Sequence, residues 1–223
     1  MSIIHHPDDA TLMSFAAGTL SEPFAILIAS HLELCGRCRQ ANLAMAALGG
    51  LVMESGLPSQ TRPDALDRLL ARLDEPADAG ATKRRPMPAL PPGATGLPQP
   101  LARLVGGGID AITWHSVVPG VQDRMIKFEG KSEGHSLRFL RARPGMTLPE
   151  HTHVGTELTL VLAGALRDGE AVLGPGDISD MDEDGTHTPR VHGSETCICV
   201  FAHEAAPRFK RVKHRILQKL IGI

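Results

Sequence analysis

His31-x3-Cys35-x2-Cys38 sets three soft or borderline metal ligands within eight residues of one another. On a helix His31 and Cys35 share a face and Cys38 follows about one turn on, so the three side chains can converge on one ion. Zn²⁺ takes four nitrogen or sulfur donors in a tetrahedron, and the pair His5-His6 offers the missing donor just ahead of the first helix signal. Two thiolates and two neutral imidazoles would leave the dication without net charge to bury. A lone Cys-x2-Cys can serve redox chemistry and a lone helical His is usually structural. Their conjunction with a spare His pair, in a segment too small to fold comfortably alone, favours zinc.

A second string, Gly145-x5-His151-x-His153-x3-Glu157-x6-Gly164, collects harder ligands. His151, His153 and Glu157 share parity, so on a continuous strand they point to one face; Gly155 would allow a bulge to interrupt it. His187, after the turn Gly174-Pro175-Gly176-Asp177, can supply a fourth ligand from a neighbouring strand, with His192 as the alternative. Three imidazoles and a carboxylate suit Zn²⁺, Fe²⁺, Mn²⁺ or Ni²⁺. Cys197 and Cys199 stand two apart on the last strand and therefore on one face. At the roughly 6.5–7 Å spacing of such a pair a disulfide is unattractive. They read as small apolar strand residues, or as a thiol pair near the metal that oxidation modifies.

The elements that must carry these ligands change character along the chain. Asp8 and Asp9 cap a run through Leu12, Phe15 and Ala16 that stops at Gly18, and Ser21 with Pro23 starts a second run carrying Phe24, Leu27, Ile28 and His31. A third helix is predicted from about Arg39 to Met53. A fourth, about Asp64 to Leu73, places Leu66, Leu69, Leu70 and Leu73 on one face and charges on the other. It lies beyond a Gly-Pro break, so its leucine stripe reads either as part of the helical bundle or as a partner-binding face. Residues 74–100 contain seven prolines and three glycines and read as a linker.

Beyond it the pattern turns to strands, at Ile112 to Val118, Arg124 to Phe128, Ser136 to Arg143, Leu158 to Leu166 and Thr196 to Phe201, the signature of an all-β barrel or sandwich. Arg208 to Ile221 reads as a basic amphipathic helix docking on a domain or on a dimer partner. The expected division is a small zinc-bound helical bundle over residues 1–78, a Pro/Gly-rich linker over 79–100, an all-β domain over 101–204 and a C-terminal helix over 205–223.

The chain has 223 residues and a net charge of −2, unevenly spread. Residues 1–78 hold ten acids against five arginines, whereas residues 205–223 hold six basic residues and no acid. The acidic end is a poor ligand for nucleic acid and a good one for a basic protein surface. With four cysteines, no secretory leader and no membrane-length apolar run, the expectation is a reducing, cytoplasmic setting in which thiols ligate metal or stay free.

The second string resembles the first cupin motif throughout, its glycines included, which implies a double-stranded β-helix, or jelly-roll, barrel. The order of both motifs, His6 with His31-x3-Cys35-x2-Cys38 ahead of a single cupin, resembles the ChrR-type zinc anti-sigma factors along both domains. That resemblance implies no enzyme. It implies a helical domain that sequesters an extracytoplasmic-function (ECF) sigma factor in a 1:1 complex, and a cupin needed to release it under singlet oxygen or organic hydroperoxide. It also implies His6, rather than His5, as the zinc ligand beside His31, Cys35 and Cys38, and His151, His153, Glu157 and His187 as ligands of zinc or another divalent transition metal in the cupin. The rival from another class is a metal-dependent cupin oxygenase or isomerase with an accessory zinc module; its metal would need open coordination positions.

Overall fold

The computed structural model describes residues 2–73, 96–128, 132, 134–152, 155–181, 186–204 and 208–209. The expected linker therefore lies almost wholly outside the described residues, as does the chain beyond residue 209.

Helix α1 (Asp9–Ala16) starts where the Asp8 carboxylate accepts the Thr11 N–H at 2.5 Å. It stops just before Gly18, whose φ of 69° turns the chain away. Helix α2 (Glu22–Leu34) carries proline in its first turn, and Ser21 makes no side-chain cap. The cap comes from far along the chain instead: the Ser132 hydroxyl accepts the Glu22 N–H at 3.1 Å. Phe24, Leu27, Ile28, Ser30, His31 and Leu32 are all buried, so α2 is enclosed on more than one side.

At Cys35 the backbone becomes extended, with φ −106° and ψ 106°, and helix α3 (Gly36–Ser55) leaves in a new direction. The Arg39 guanidinium closes this corner by donating to the carbonyls of Leu32 at 2.8 Å and Glu33 at 3.2 Å. The third helix thus begins at Gly36, earlier than the expected Arg39, and its first turn carries Cys38 while Cys35 forms the corner. On α3 only Cys38 is buried, and α4 (Ala65–Leu73) buries nothing.

Helix α5 (Gln99–Val105) precedes the strands and packs on α2, so the first part of the segment expected to begin the all-β domain is helical. The strands are β1 (His115–Val118), β2 (Val121–Lys127), β3 (Ser136–Ala142), β4 (His151–Thr152), β5 (Glu157–Ala163), β6 (Leu166–Asp168), β7 (Ala171–Leu173), β8 (Ile178–Met181), β9 (Thr186–His187), β10 (Arg190–Val191), β11 (Cys197–His203) and β12 (Arg208–Phe209). Among the described residues they form a six-stranded antiparallel sheet in the order β1-β2-β3-β11-β5-β8, with two smaller sheets, β10-β6-β7 and β12-β4-β9. The pairing of β12 with β4 places Arg208 and Phe209 in a strand, where a helix was expected; the rest of that helix falls outside the described residues.

Alternation along the large sheet builds two cores. Val121, Leu140, Ala142, Val161, Cys197, Cys199 and Phe201 meet Leu166, Leu173 and Val191 of the small β6-β7-β10 sheet. From the opposite face Leu137, Phe139, Leu158, Leu160, Ile178, Val200 and Ala202 pack in one cluster with Leu12, Phe24, Leu27, Ile28, Leu32, Leu101 and Ala102 of the helices. Helices and barrel therefore share a core. The helical segment is too short to bury α2 by itself, and the outer face of the barrel supplies the missing apolar surface.

Candidate metal centres

The N-terminal centre forms where three pieces of backbone meet. His31 comes from the last turn of α2, Cys35 from the corner, Cys38 from the first turn of α3, and His6 from the extended segment before α1. Their ligand atoms all lie within 4.8 Å of one another. The His6 Nδ1 stands 3.6 Å from Cys35 Sγ and 3.3 Å from Cys38 Sγ, against the roughly 3.6 Å expected between nitrogen and sulfur donors of one tetrahedral zinc. The His31 Nδ1–H donates to the Gly176 carbonyl at 2.9 Å, which leaves the Nε2 lone pair facing the cluster. That Nε2 is buried without a hydrogen-bond partner, an arrangement a metal ion would satisfy.

Protonation fits the same reading. Burial lowers the His31 pKa against the opposing effect of the Gly176 carbonyl, and burial followed by the nearby Arg37 charge lowers that of His6, so both rings stay neutral and able to ligate. Burial, then the hydrogen bond and charge of Cys35, pushes the Cys38 thiol up to about 12, so a cation must displace its proton. His5 stands outside the cluster, its Nδ1 3.4 Å from the Asp177 carboxylate.

The second centre lies in the barrel. His151, Glu157 and His187 place ligand atoms within 4.8 Å of one another. Antiparallel pairing of β4 with β9 sets His151 directly opposite His187. Each ring is oriented by its Nδ1–H, which donates to the Pro149 carbonyl at 2.8 Å for His151 and to the Asp168 carboxylate at 2.6 Å for His187. The two Nε2 atoms then face each other at 3.1 Å, a contact satisfied either by one proton between the rings or by a metal ion they share. The Glu157 carboxylate is 1% exposed. It accepts the Thr159 hydroxyl at 3.2 Å and meets His203 Nε2 at 2.5 Å.

His153 lies outside the described residues. The shared parity expected of His151 and Glu157 is not what unites them, because no single strand carries both: β4 ends at Thr152 and β5 begins at Glu157, with Gly155 at φ 83° in the break. His192, the alternative fourth ligand, is exposed and outside the cluster. Cys197 and Cys199 are buried free thiols in the inner core, also outside the cluster. The hydrogen bond that its S–H donates to Cys197, burial, and the charges of Cys197 and Glu157 hold the Cys199 thiol well above its ordinary pKa, so it stays protonated and poorly nucleophilic.

Three functional residues were missed in the sequence. Asp168 orients His187, but in the sequence it is only an Asp-Gly turn residue. His203 has the parity of Cys197, Cys199 and Phe201, and was lost because the expected strand stopped at Phe201. Asp177 was noted for its turn and not for its contacts: its Oδ1 accepts the N–H groups of Ile4 at 2.8 Å and His5 at 3.0 Å. Burial alone would raise the Asp177 pKa, but the N–H donors of His5, Gly174 and Ile4 outweigh it and hold the carboxyl below its usual range.

A cleft of about 880 Å³ is lined by His5, His6, Asp168 and His187 among others, so both centres border one space.

Residues 104–207 match the family described as the ChrR cupin-like domain. The anti-sigma-E factor ChrR of Cereibacter sphaeroides is 36% identical over 223 residues, covering all of both chains. The crystal structure of Rhodobacter sphaeroides SigE in complex with the anti-sigma ChrR superposes with a TM-score of 0.73 at 36% identity, over 91% of this chain and 99% of that one. A match of this extent, across helices and barrel alike, means that the chain belongs to the ChrR family of anti-sigma factors.

Proposed function

We propose that this protein is a zinc-dependent anti-sigma factor and not an enzyme: its helical segment sequesters an ECF sigma factor in a 1:1 complex, and its cupin barrel governs release under singlet oxygen or related oxidative stress. The observation that carries the binding half is the apolar surface left without a home. Leu43, Leu48, Leu51, Val52 and Met53 of α3 are exposed, and on α4 Leu66 is 64%, Leu69 57%, Leu70 49% and Leu73 74% exposed. A soluble chain keeps such a stripe for a partner. The identity of its relative supports a sigma factor as that partner, and the acidic balance of residues 1–78 suits a surface that otherwise meets nucleic acid.

In this reading His6, His31, Cys35 and Cys38 hold zinc, which cross-links the N-terminal segment to the α2–α3 corner and so supports the helices that grip the partner. His151, His153, Glu157 and His187 hold a divalent transition metal in the barrel, with Asp168 and His203 orienting His187 and Glu157. No helix among the described residues is long and apolar enough to cross a membrane, and the protein works beside its sigma factor in the cytoplasm. The domain division at residues 79 and 101 belongs to the same reading.

Co-purification from the native host tests the core of the proposal. A sigma factor should come down in equimolar amount with wild-type protein, and Leu66→Asp with Leu70→Asp should abolish its capture while changing stability by no more than about 1 kcal/mol, since both positions are exposed. Capture undiminished in the double variant would refute this surface.

A further inference from the structure

The segment that delivers His6 has no regular structure of its own, so its placement depends on what it is tied to. Its ties lead to the barrel. The N–H groups of Ile4 and His5 donate to Asp177 Oδ1 at 2.8 and 3.0 Å, the His5 carbonyl accepts the Ile178 N–H at 3.3 Å, and the Asp8 N–H donates to the Asp180 carboxylate at 3.2 Å. The other Asp177 oxygen accepts the Gly174 N–H at 2.8 Å and so closes the β7–β8 turn itself. Within that turn a Cβ added at Gly176 would lie 2.6 Å from Ile3 Cδ1, which measures how closely the segment is laid on it. The Gly176 carbonyl is also the acceptor that orients His31. Two of the four N-terminal ligands, His6 and His31, are thus aimed by one turn of the barrel.

We propose that Asp177 is a positioning residue of the N-terminal zinc centre: it straps residues 3–8 to the β7–β8 turn, so the inhibitory module holds zinc at full affinity only while the barrel keeps that turn in place. The proposal rests on the zinc reading above and deepens it by naming how the barrel reaches the module. Asp177 immediately precedes β8, which pairs with β5 from Ile178 opposite Leu160 to Met181 opposite Glu157. One four-residue strand therefore joins the strap at one end to the register partner of a barrel ligand at the other. A displacement of β8 by events at Glu157 loosens His6 without touching Cys35 or Cys38.

The test uses the full-length chain. Cobalt(II) substitution reads the two-thiolate centre through its sulfur-to-metal charge-transfer absorption, to which a His and carboxylate site does not contribute, and competition with a chromogenic chelator gives the affinity. Asp177→Ala should weaken binding at the thiolate centre 10- to 100-fold, the usual effect of losing an outer-shell partner. Hydrogen exchange at the Ile4 and His5 amides should accelerate in the same protein. Asp177→Asn, whose amide oxygen still accepts those two N–H groups, should retain more of the affinity. An affinity within twofold of wild type in Asp177→Ala overturns the proposal. Should that variant fail to fold, accelerated Ile4 and His5 exchange in Asp177→Asn with unchanged affinity overturns it equally. A wild-type chain lacking the charge-transfer band would instead overturn the zinc reading and this proposal with it, a result distinct from a band that is present but insensitive to Asp177.

Discussion

Leu27→Ala tests whether helices and barrel are one cooperative unit. Leu27 is 0% exposed and lies in the cluster that joins α2 to Leu137, Phe139, Leu158 and Val200 of the large sheet. The truncation removes three carbons, about 2.4 kcal/mol of transfer free energy at ~0.8 kcal/mol per carbon. The cavity left between a helix pinned at both ends and a rigid sheet adds to this, so the total should fall in the range of about 2.7–5 kcal/mol. The sole tryptophan, Trp114, is partly buried against the same cluster and sits just ahead of β1. Its fluorescence follows the barrel side while far-ultraviolet circular dichroism follows the helices. In urea the two probes should report coincident transitions in wild type, and both should shift together to lower denaturant in the variant. A helical transition that moved alone, with the tryptophan transition unchanged, would refute the shared core.

Two further outcomes follow from the metal centres. Zinc titrated into metal-free protein near pH 7 should release at least the proton of the Cys38 thiol, pushed up to about 12, and none from the imidazoles that burial keeps neutral, so affinity should fall as pH falls; calorimetry in buffers of different ionisation enthalpy counts the protons, and a release near zero would mean that Cys38 does not bind as a thiolate. Asp168→Ala should free the His187 ring to rotate and lower metal retention in the barrel 10- to 100-fold, measured by metal analysis after dialysis against graded chelator, while the thiolate centre keeps its metal. Equal retention in Asp168→Ala and wild type would remove Asp168 from the site.

Helices α1 to α4 and the clustering of His31, Cys35 and Cys38 were legible because each is announced locally; α5 was not. Asp8, Gly18 and Pro23 punctuate the chain by mechanisms that need no tertiary context, and the spacing of His31, Cys35 and Cys38 keeps the three together whether or not the helix breaks at Cys35. The long strands β3, β5 and β11 were legible for the same reason. What stayed hidden is long-range. β4, β6, β7, β9 and β10 are two or three residues each, too short for alternation to register. The shared core was foreshadowed only by the composition of α2, whose apolar residues are spread around the helix where an amphipathic surface helix would show one stripe. The pairing of β11 with β5 brings His203 to Glu157 across 46 residues, and Asp168 reaches His187 across 19 residues from a different sheet, neither of which a local pattern records.

Both ends of α2 are fastened to the barrel, by Ser132 on the Glu22 N–H and by Gly176 on the His31 ring, while its flank lies on β5 and β11. A beam held this way keeps its apolar side on the sheet. A sigma factor that wrapped around α2 would have to lift it off, breaking both fastenings and exposing Phe24, Leu27 and Ile28 in the same act. In the proposed reading, grip on the sigma factor and grip on the barrel belong to different helices, joined at the Cys35 corner. A metal held by His6, His31, Cys35 and Cys38 would sit in that corner: with it bound, the posture of one grip would be transmitted to the other, and without it the two would move independently.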